Sequence, residues 1–173
     1  MKKQIILLSG PSSSGKSTLA PHLQKQMKDT FGQEYAIFSI DDYVTWPTDR
    51  LVDKREMFRA STLMYKEALK SLKSYDGVII DQVITSERVF NQLTNIFSEC
   101  TILPVQVTSP LYVLKERELA RKDRYVGLAE ESYSSLVPKC DYIVSVDTHY
   151  SKIEDCILRI IYDGLVQTDI FDY

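Results

Sequence analysis

The chain has 173 residues, room for one domain with a sizeable core and none for a second. Hydrophobic residues make up 44% and charged residues 26%, which excludes a disordered chain. The formal net charge of -3 speaks against bulk binding of nucleic acid or of an anionic membrane, both of which need a field of Lys and Arg.

Three cysteines, Cys100, Cys140 and Cys156, stand far apart with no paired spacing, a pattern of reduced thiols rather than of disulfides or zinc. The first apolar run, Ile5 to Leu8, is too short for a signal peptide or a membrane span. A soluble, cytoplasmic chain is therefore expected, and nothing in the pattern fixes its oligomeric state.

Gln4 to Ser9 reads as a buried strand. It runs into Gly10-Pro11-Ser12-Ser13-Ser14-Gly15-Lys16-Ser17, followed by Thr18, and a helix is expected from Ser14 to Lys28. This is the full pattern G-x-x-x-x-G-K-[ST] in a strand, loop and helix context. Gly10 and Gly15 would let successive backbone N–H groups turn inward as an anion nest. The helix start would add its positive dipole end, Lys16 would reach the β- and γ-phosphates of ATP, and the Ser17 hydroxyl would ligate Mg²⁺. Pro21 falls inside this helix, where a kink costing ~3 kcal/mol is expected.

Tyr35 to Ile40 is a second strand, with Asp41 and Asp42 at its carboxyl end. A carboxylate there can take the proton of an acceptor hydroxyl during in-line phosphoryl transfer. Asp41 is nearer the strand and so more rigidly aimed, leaving Asp42 as a cap or a supporting group. Tyr43 and Trp46 are candidates to line an acceptor pocket. Lys54 to Lys73 carries apolar residues at Met57, Ala60, Met64, Ala68 and Leu72, a helical spacing. On it Arg59 is a candidate acceptor contact, and Arg50, Lys54 and Arg55 nearby leave room for a charged acceptor. Val78 to Asp81 is a third strand, ending in a carboxylate suited to holding Mg²⁺ directly or through water. Gln82 follows as a further candidate acceptor contact.

Glu87 to Phe97 is a third helix and Ile102 to Val107 a fourth strand. A long helix starting at Pro110 ends in Arg117, Arg121 and Arg124, spaced by four and three, so that one face carries three guanidinium groups. Such forks suit the charge that spreads over phosphoryl oxygens, and a lid built of them excludes water. On this reading Glu118 and Lys122 form an ordinary surface pair four residues apart. Tyr142 to Val146 is a fifth strand, and a closing helix shows its inner face at Ile153, Cys156, Ile157, Ile160 and Ile161. Continuously apolar strands alternating with helices make a three-layer α/β fold around a parallel sheet. Ligands of such sheets bind at the carboxyl ends of the strands.

With these motifs in place, the chain resembles the chloramphenicol phosphotransferase family of P-loop kinases. The likeness is carried by Ile5 to Ser17, Phe38 to Asp41, Phe58 to Ala60 and Val78 to Asp81. Its most specific part is Ala120 to Ala129, with Tyr142 to His149 beyond it. The resemblance implies a nucleotide-kinase-like fold with five parallel strands and a mobile arginine lid at about residues 115–137. It implies Asp41 as general base, Lys16 and Ser17 on the phosphates and Mg²⁺, and Arg121 and Arg124 serving the lid, while Arg117 of the same row is a candidate nucleotide contact. Asp147-Thr148-His149 would form the turn beside the adenine, with Thr148 on the nucleotide. Between Asp41 and Phe58 the chain is shorter than the antibiotic-modifying enzyme and differs in content. That stretch would recognise the acceptor, so the expected reaction is transfer of the γ-phosphoryl group of ATP to a hydroxyl of a small molecule not fixed by the resemblance. The alternatives are a nucleoside, nucleotide or nucleotide-sugar kinase on the same scaffold, or an NTP-binding regulatory module that transfers nothing.

Overall fold

A computed structural model describes residues 2–121, 123–136 and 141–166. The expectations for Lys122, Cys140 and the tail 167–173 fall outside those residues. The strands are β1 (Gln4–Ser9), β2 (Tyr35–Ser39), β3 (Gly77–Asp81), β4 (Thr101–Thr108) and β5 (Val144–Asp147). They form one parallel sheet in the order β2-β3-β1-β4-β5. The helices are α1 (Lys16–Phe31), α2 (Lys54–Ser71), α3 (Glu87–Ile96), α4 (Leu111–Arg121), α5 (Leu128–Ser135) and α6 (Ile153–Arg159).

The two-residue period of the central strand splits the core into two halves. Ile6 and Leu8 pack with Leu19, Leu23 and Met27 of α1 and Ile157 of α6, while Ile5 and Leu7 pack with Met64 and Tyr65 of α2 and Leu93 of α3. All four β1 residues are fully buried, and each contributes about 1.5–3 kcal/mol of transfer free energy. This is why β1 reads as an unbroken apolar run. The register pairs Asp81 with Leu8 on one side and Ser39 on the other. The carboxyl ends of β1, β2 and β3 therefore share one edge of the sheet, and the functional loops leave from there.

Local chemistry sets the helix ends. The Asp53 carboxylate accepts the Arg55 N–H at 2.8 Å to start α2, and the Ser86 hydroxyl accepts the Val89 N–H at 3.3 Å to start α3. Gly32, at φ 66°, closes α1 with its N–H on the Lys28 carbonyl.

Several boundaries differ from expectation. The first helix begins at Lys16, two residues late, and it runs on through Pro21 to Phe31. Pro21 lies one turn in, so the donor it lacks is the one the Ser17 carbonyl would otherwise receive. The fifth strand starts at Val144 rather than Tyr142, whose hydroxyl instead reaches Ser9 Oγ at 3.2 Å. The long helix after Pro110 is two helices, α4 and α5, separated by a turn in which Gly127 takes φ +112°. Among the described residues no helix is long and apolar enough to cross a membrane.

Candidate active site

The loop between β1 and α1 is shaped by two glycines for two different reasons. A Cβ on Gly10 would stand 1.9 Å from the Val107 carbonyl oxygen of β4, so only glycine lets the loop leave the sheet there. Gly15 instead takes φ +94°, and Ser13 joins it in the left-handed region at φ 65°. Gly10 is thus required for space, whereas Gly15 is required for its backbone angle. Among the described residues neither Ser12 Oγ nor Ser13 Oγ finds a partner, though both hydroxyls are buried. Orphaned polar atoms in a nest of backbone N–H groups fit an anion such as a phosphate chain.

Lys16, the first residue of α1, is buried, and its ammonium donates to the Gly10 and Pro11 carbonyls at 3.0 and 2.9 Å. Burial lowers its pKa, against the opposing pull of Asp81 and Asp41. Two backbone carbonyls accept from the ammonium, and the charges of Asp81 and Asp41 favour its protonated form. The Ser17 hydroxyl donates to Asp81 Oδ2 at 2.5 Å, and Ser39 Oγ donates to the same oxygen at 3.3 Å. Asp81 is buried. A hydroxyl and a carboxylate this close, beside the loop between β1 and α1, fit Mg²⁺, which keeps most of its waters and takes few protein oxygens.

The arginines converge from different elements. Arg117 and Arg121 lie on α4, but α4 ends at Arg121, so Arg124 reaches the site from the following turn rather than from a shared helical face. Arg117 braces the cradle against the turn after β5: it donates to the Ser13 carbonyl at 3.3 Å and to Thr148 Oγ1 at 3.0 Å. Thr148 Oγ1 in turn donates to the Ser14 carbonyl at 2.7 Å. Arg124, only 8% exposed, donates to Asp41 Oδ2 at 3.1 Å, and Arg121 stands 3.7 Å from the same oxygen. The Arg124 guanidinium also lies 4.8 Å from the centre of the Trp46 ring. The Tyr125 N–H donates to the Pro47 carbonyl at 3.1 Å, so the arginine turn is tied to the loop after Asp41.

These groups line a cavity of about 680 Å³. One end holds the cradle, Thr18, Arg117, Thr148 and Ile153; the other holds Asp41, Trp46, Leu51, Val52, Met57 and Val83. Of the expected site residues, Ser12, Ser13, Gly15, Lys16, Ser17, Thr18, Asp41, Trp46, Asp81, Arg117, Arg121, Arg124 and Thr148 all line it. Gly10, Pro11 and Ser14 shape the loop from behind.

Four candidate acceptor contacts stand elsewhere. Gln82 is fully buried, accepts from the Tyr65 hydroxyl at 2.5 Å and donates to Ser61 Oγ at 2.7 Å. Successive residues of an extended chain point to opposite faces, so Asp81 facing the cavity sends Gln82 into the α2 core. Tyr43 donates to Glu67 Oε2 at 2.6 Å and is not among the cavity residues, and Asp42 is exposed outside it. Arg59 lies in a separate groove. His149 also misses the cavity: its Nε2 pairs with the Tyr112 hydroxyl at 3.1 Å.

Two contributors escape a reading of the sequence. Glu118 is no surface residue, its expected pairing with Lys122 lying outside the described residues: it is buried, and its carboxylate accepts the Gly127 and Ala129 N–H groups at 2.9 and 2.7 Å, capping α5. Within α5, Ser132 Oγ accepts the Ser12 N–H at 2.9 Å, hooking that helix to the cradle.

A family model described as chloramphenicol phosphotransferase-like protein matches residues 3–163. No curated protein sequence matches the chain. Among solved structures it is similar to the Mycobacterium tuberculosis APS kinase CysC in complex with AMPPNP and APS, at a TM-score of 0.72 and 12% identity, covering 94% of this chain and 97% of that one. A gluconokinase from Sinorhizobium meliloti 1021 superposes at a TM-score of 0.69 and 15% identity, covering 95% and 93%. A sugar kinase from Janibacter sp. HTCC2649 does so at 0.69 and 15%, covering 94% of each. At such identities these likenesses establish the fold.

Proposed function

The chain belongs to the chloramphenicol phosphotransferase-like family, and on that footing we propose that it transfers the γ-phosphoryl group of ATP to a hydroxyl of a small molecule. The observation that carries this reading is the Asp41 carboxylate, set across one cavity from the cradle and touched by two arginines.

ATP lies with its triphosphate in the Gly10–Ser17 loop and its base towards Thr148 and Ile153. Ser17 and Asp81 would hold Mg²⁺, which would supply positive charge to the triphosphate when bound. The acceptor hydroxyl lies against Asp41, which takes its proton as the oxygen bonds to the γ-phosphorus. The bond from that phosphorus to the bridging oxygen breaks, and ADP leaves with the electron pair. Lys16, Arg121 and Arg124 take up the charge spread over the phosphoryl oxygens. Arg121 and Arg124 rest on Asp41 in this structure, so their move to the phosphates frees the base as the nucleotide arrives. Residues 115–137 thereby act as a lid.

Asp41→Asn tests the assignment. Transfer should fall about a hundred- to ten-thousand-fold, the range of general-base catalysis, with ATP affinity held or raised. A nucleotide-driven switch that transfers nothing has no use for a base at this place. Undiminished transfer by the variant would remove Asp41 from the mechanism.

A further inference from the structure

A second groove of about 390 Å³ opens between the amino ends of α2 and α3. Its walls carry Lys54, Arg55, Arg59 and Arg88, together with Phe58 and Ser86, and no acidic residue. Arg88 is held in place by its guanidinium, 4.1 Å from the centre of the Phe58 ring. Among the described residues none of the four cations has a carboxylate within ion-pair distance, although the chain as a whole is net acidic. Of the three acids adjacent in sequence, Asp53 spends its side chain on the Arg55 N–H, and neither Glu56 nor Glu87 lines the groove. Four like charges gathered around one concavity repel one another, and an oxyanion placed among them removes that repulsion.

The groove is not isolated. Lys54, Ser86 and Val89 line both it and the acceptor end of the main cavity. A molecule with its hydroxyl at Asp41 can therefore extend past Lys54 into the cations. The main cavity at this point is walled by Trp46, Leu51, Val52 and Met57, which supply contact area but no positive charge.

From this juxtaposition we infer that the groove of Lys54, Arg55, Arg59 and Arg88 is an oxyanion site that recognises a phosphate or sulfate group carried by the acceptor. The acceptor is accordingly an anionic hydroxyl compound. The inference rests on the kinase reading for its hydroxyl end, but the anion site can be tested alone.

The full-length chain is first saturated with Mg²⁺ and AMPPNP, so that the cradle is filled, and sulfate is titrated at constant ionic strength while backbone amide resonances are followed. Saturable shifts are expected at residues 54–59 and 86–89, and in R55Q/R59Q/R88Q the midpoint should rise about tenfold or more, since charge-assisted bonds are lost. Absence of saturable shifts there, or an unchanged midpoint in the variant, overturns the site. Shifts of the Gly10–Ser17 amides on adding AMPPNP report the nucleotide site separately: a chain that takes sulfate but not AMPPNP sinks the kinase reading and leaves the groove standing. Transfer from ATP is then compared for glycerol against glycerol phosphate and fructose against fructose phosphate. Preference for the phosphorylated members, with a KM that rises about tenfold in the variant at unchanged kcat, ties the site to the acceptor rather than to a free anion. Transfer confined to the neutral members overturns the inference, and where no member accepts, the sulfate titration decides.

Discussion

Replacing Glu118 by Gln should destabilise the protein and loosen the phosphate cradle. The carboxylate is 4% exposed and accepts two backbone N–H groups, at 2.9 and 2.7 Å. A glutamine of the same shape keeps one carbonyl acceptor but turns its NH₂ towards the other N–H, leaving one buried donor without a partner. Such a group costs about 1–3 kcal/mol, and the remaining bond is weakened by loss of the charge. A total of about 2–3 kcal/mol follows, and at this chain length that is a fall in Tm of about 5–10 °C. Scanning calorimetry reads the Tm, with Glu116→Gln on the exposed side of α4 as the control. Amide exchange over residues 128–135 should accelerate, because the lost bonds are those that start α5. ATP affinity should also drop, since α5 presents Ser132 to the Ser12 N–H. If the variant keeps the wild-type Tm and its α5 amides stay equally protected, the cap carries none of the stability assigned to it.

Lys16→Met should weaken ATP binding about 10- to 100-fold by calorimetry, the loss of a charged donor to phosphate, while the protein without nucleotide becomes no less stable. Burial lowers the Lys16 pKa, so the folded state binds fewer protons than the unfolded one as pH approaches the ordinary lysine range. Wild-type stability gains with rising pH through that window, and the gap in urea midpoint between variant and wild type should narrow. Asp81→Asn should raise the Mg²⁺ concentration for half-maximal transfer by about 10- to 100-fold in a coupled assay, because the amide oxygen can still accept from the Ser17 hydroxyl but carries no charge for the cation. Gly10→Ala should abolish nucleotide binding, because the added Cβ meets the Val107 carbonyl oxygen at 1.9 Å and forces the loop away from β4, at about 1–3 kcal/mol or more. Normal ATP affinity in that variant would mean that the loop tolerates displacement.

The parallel sheet and the cradle were legible because both depend on local pattern. Ile5 to Leu8 is apolar throughout because both faces of β1 are covered, and the Gly-Lys-Ser motif sits where a strand meets a helix. Asp41 and Asp81 were placed by the rule that ligands meet the carboxyl ends of strands, and the sheet puts both beside the cradle. The arginine row was legible as a cluster but not as a shape: the spacing fits a continuous helix, whereas the chain turns after Arg121 and still delivers Arg124 to Asp41. Glu118 was misread for the same reason, since its partners lie beyond that turn. Gln82 illustrates another limit, because position at a strand end does not say which face a side chain takes, and α2 supplied Tyr65 and Ser61 to claim it. The eight residues of α5 are too few to carry a periodic signal.

Trp46 is the sole tryptophan of the chain, and the Arg124 guanidinium lies against its ring. On the proposed reading, the protein thus carries an intrinsic optical gauge where the acceptor side of the cavity meets the loop after β1. Indole emission responds to a cation on its face, so departure of Arg124 should be visible in rapid mixing without any attached dye. Each turnover would then write its own trace of closing and reopening, and the order in which the two substrates arrive could be read from the chain itself.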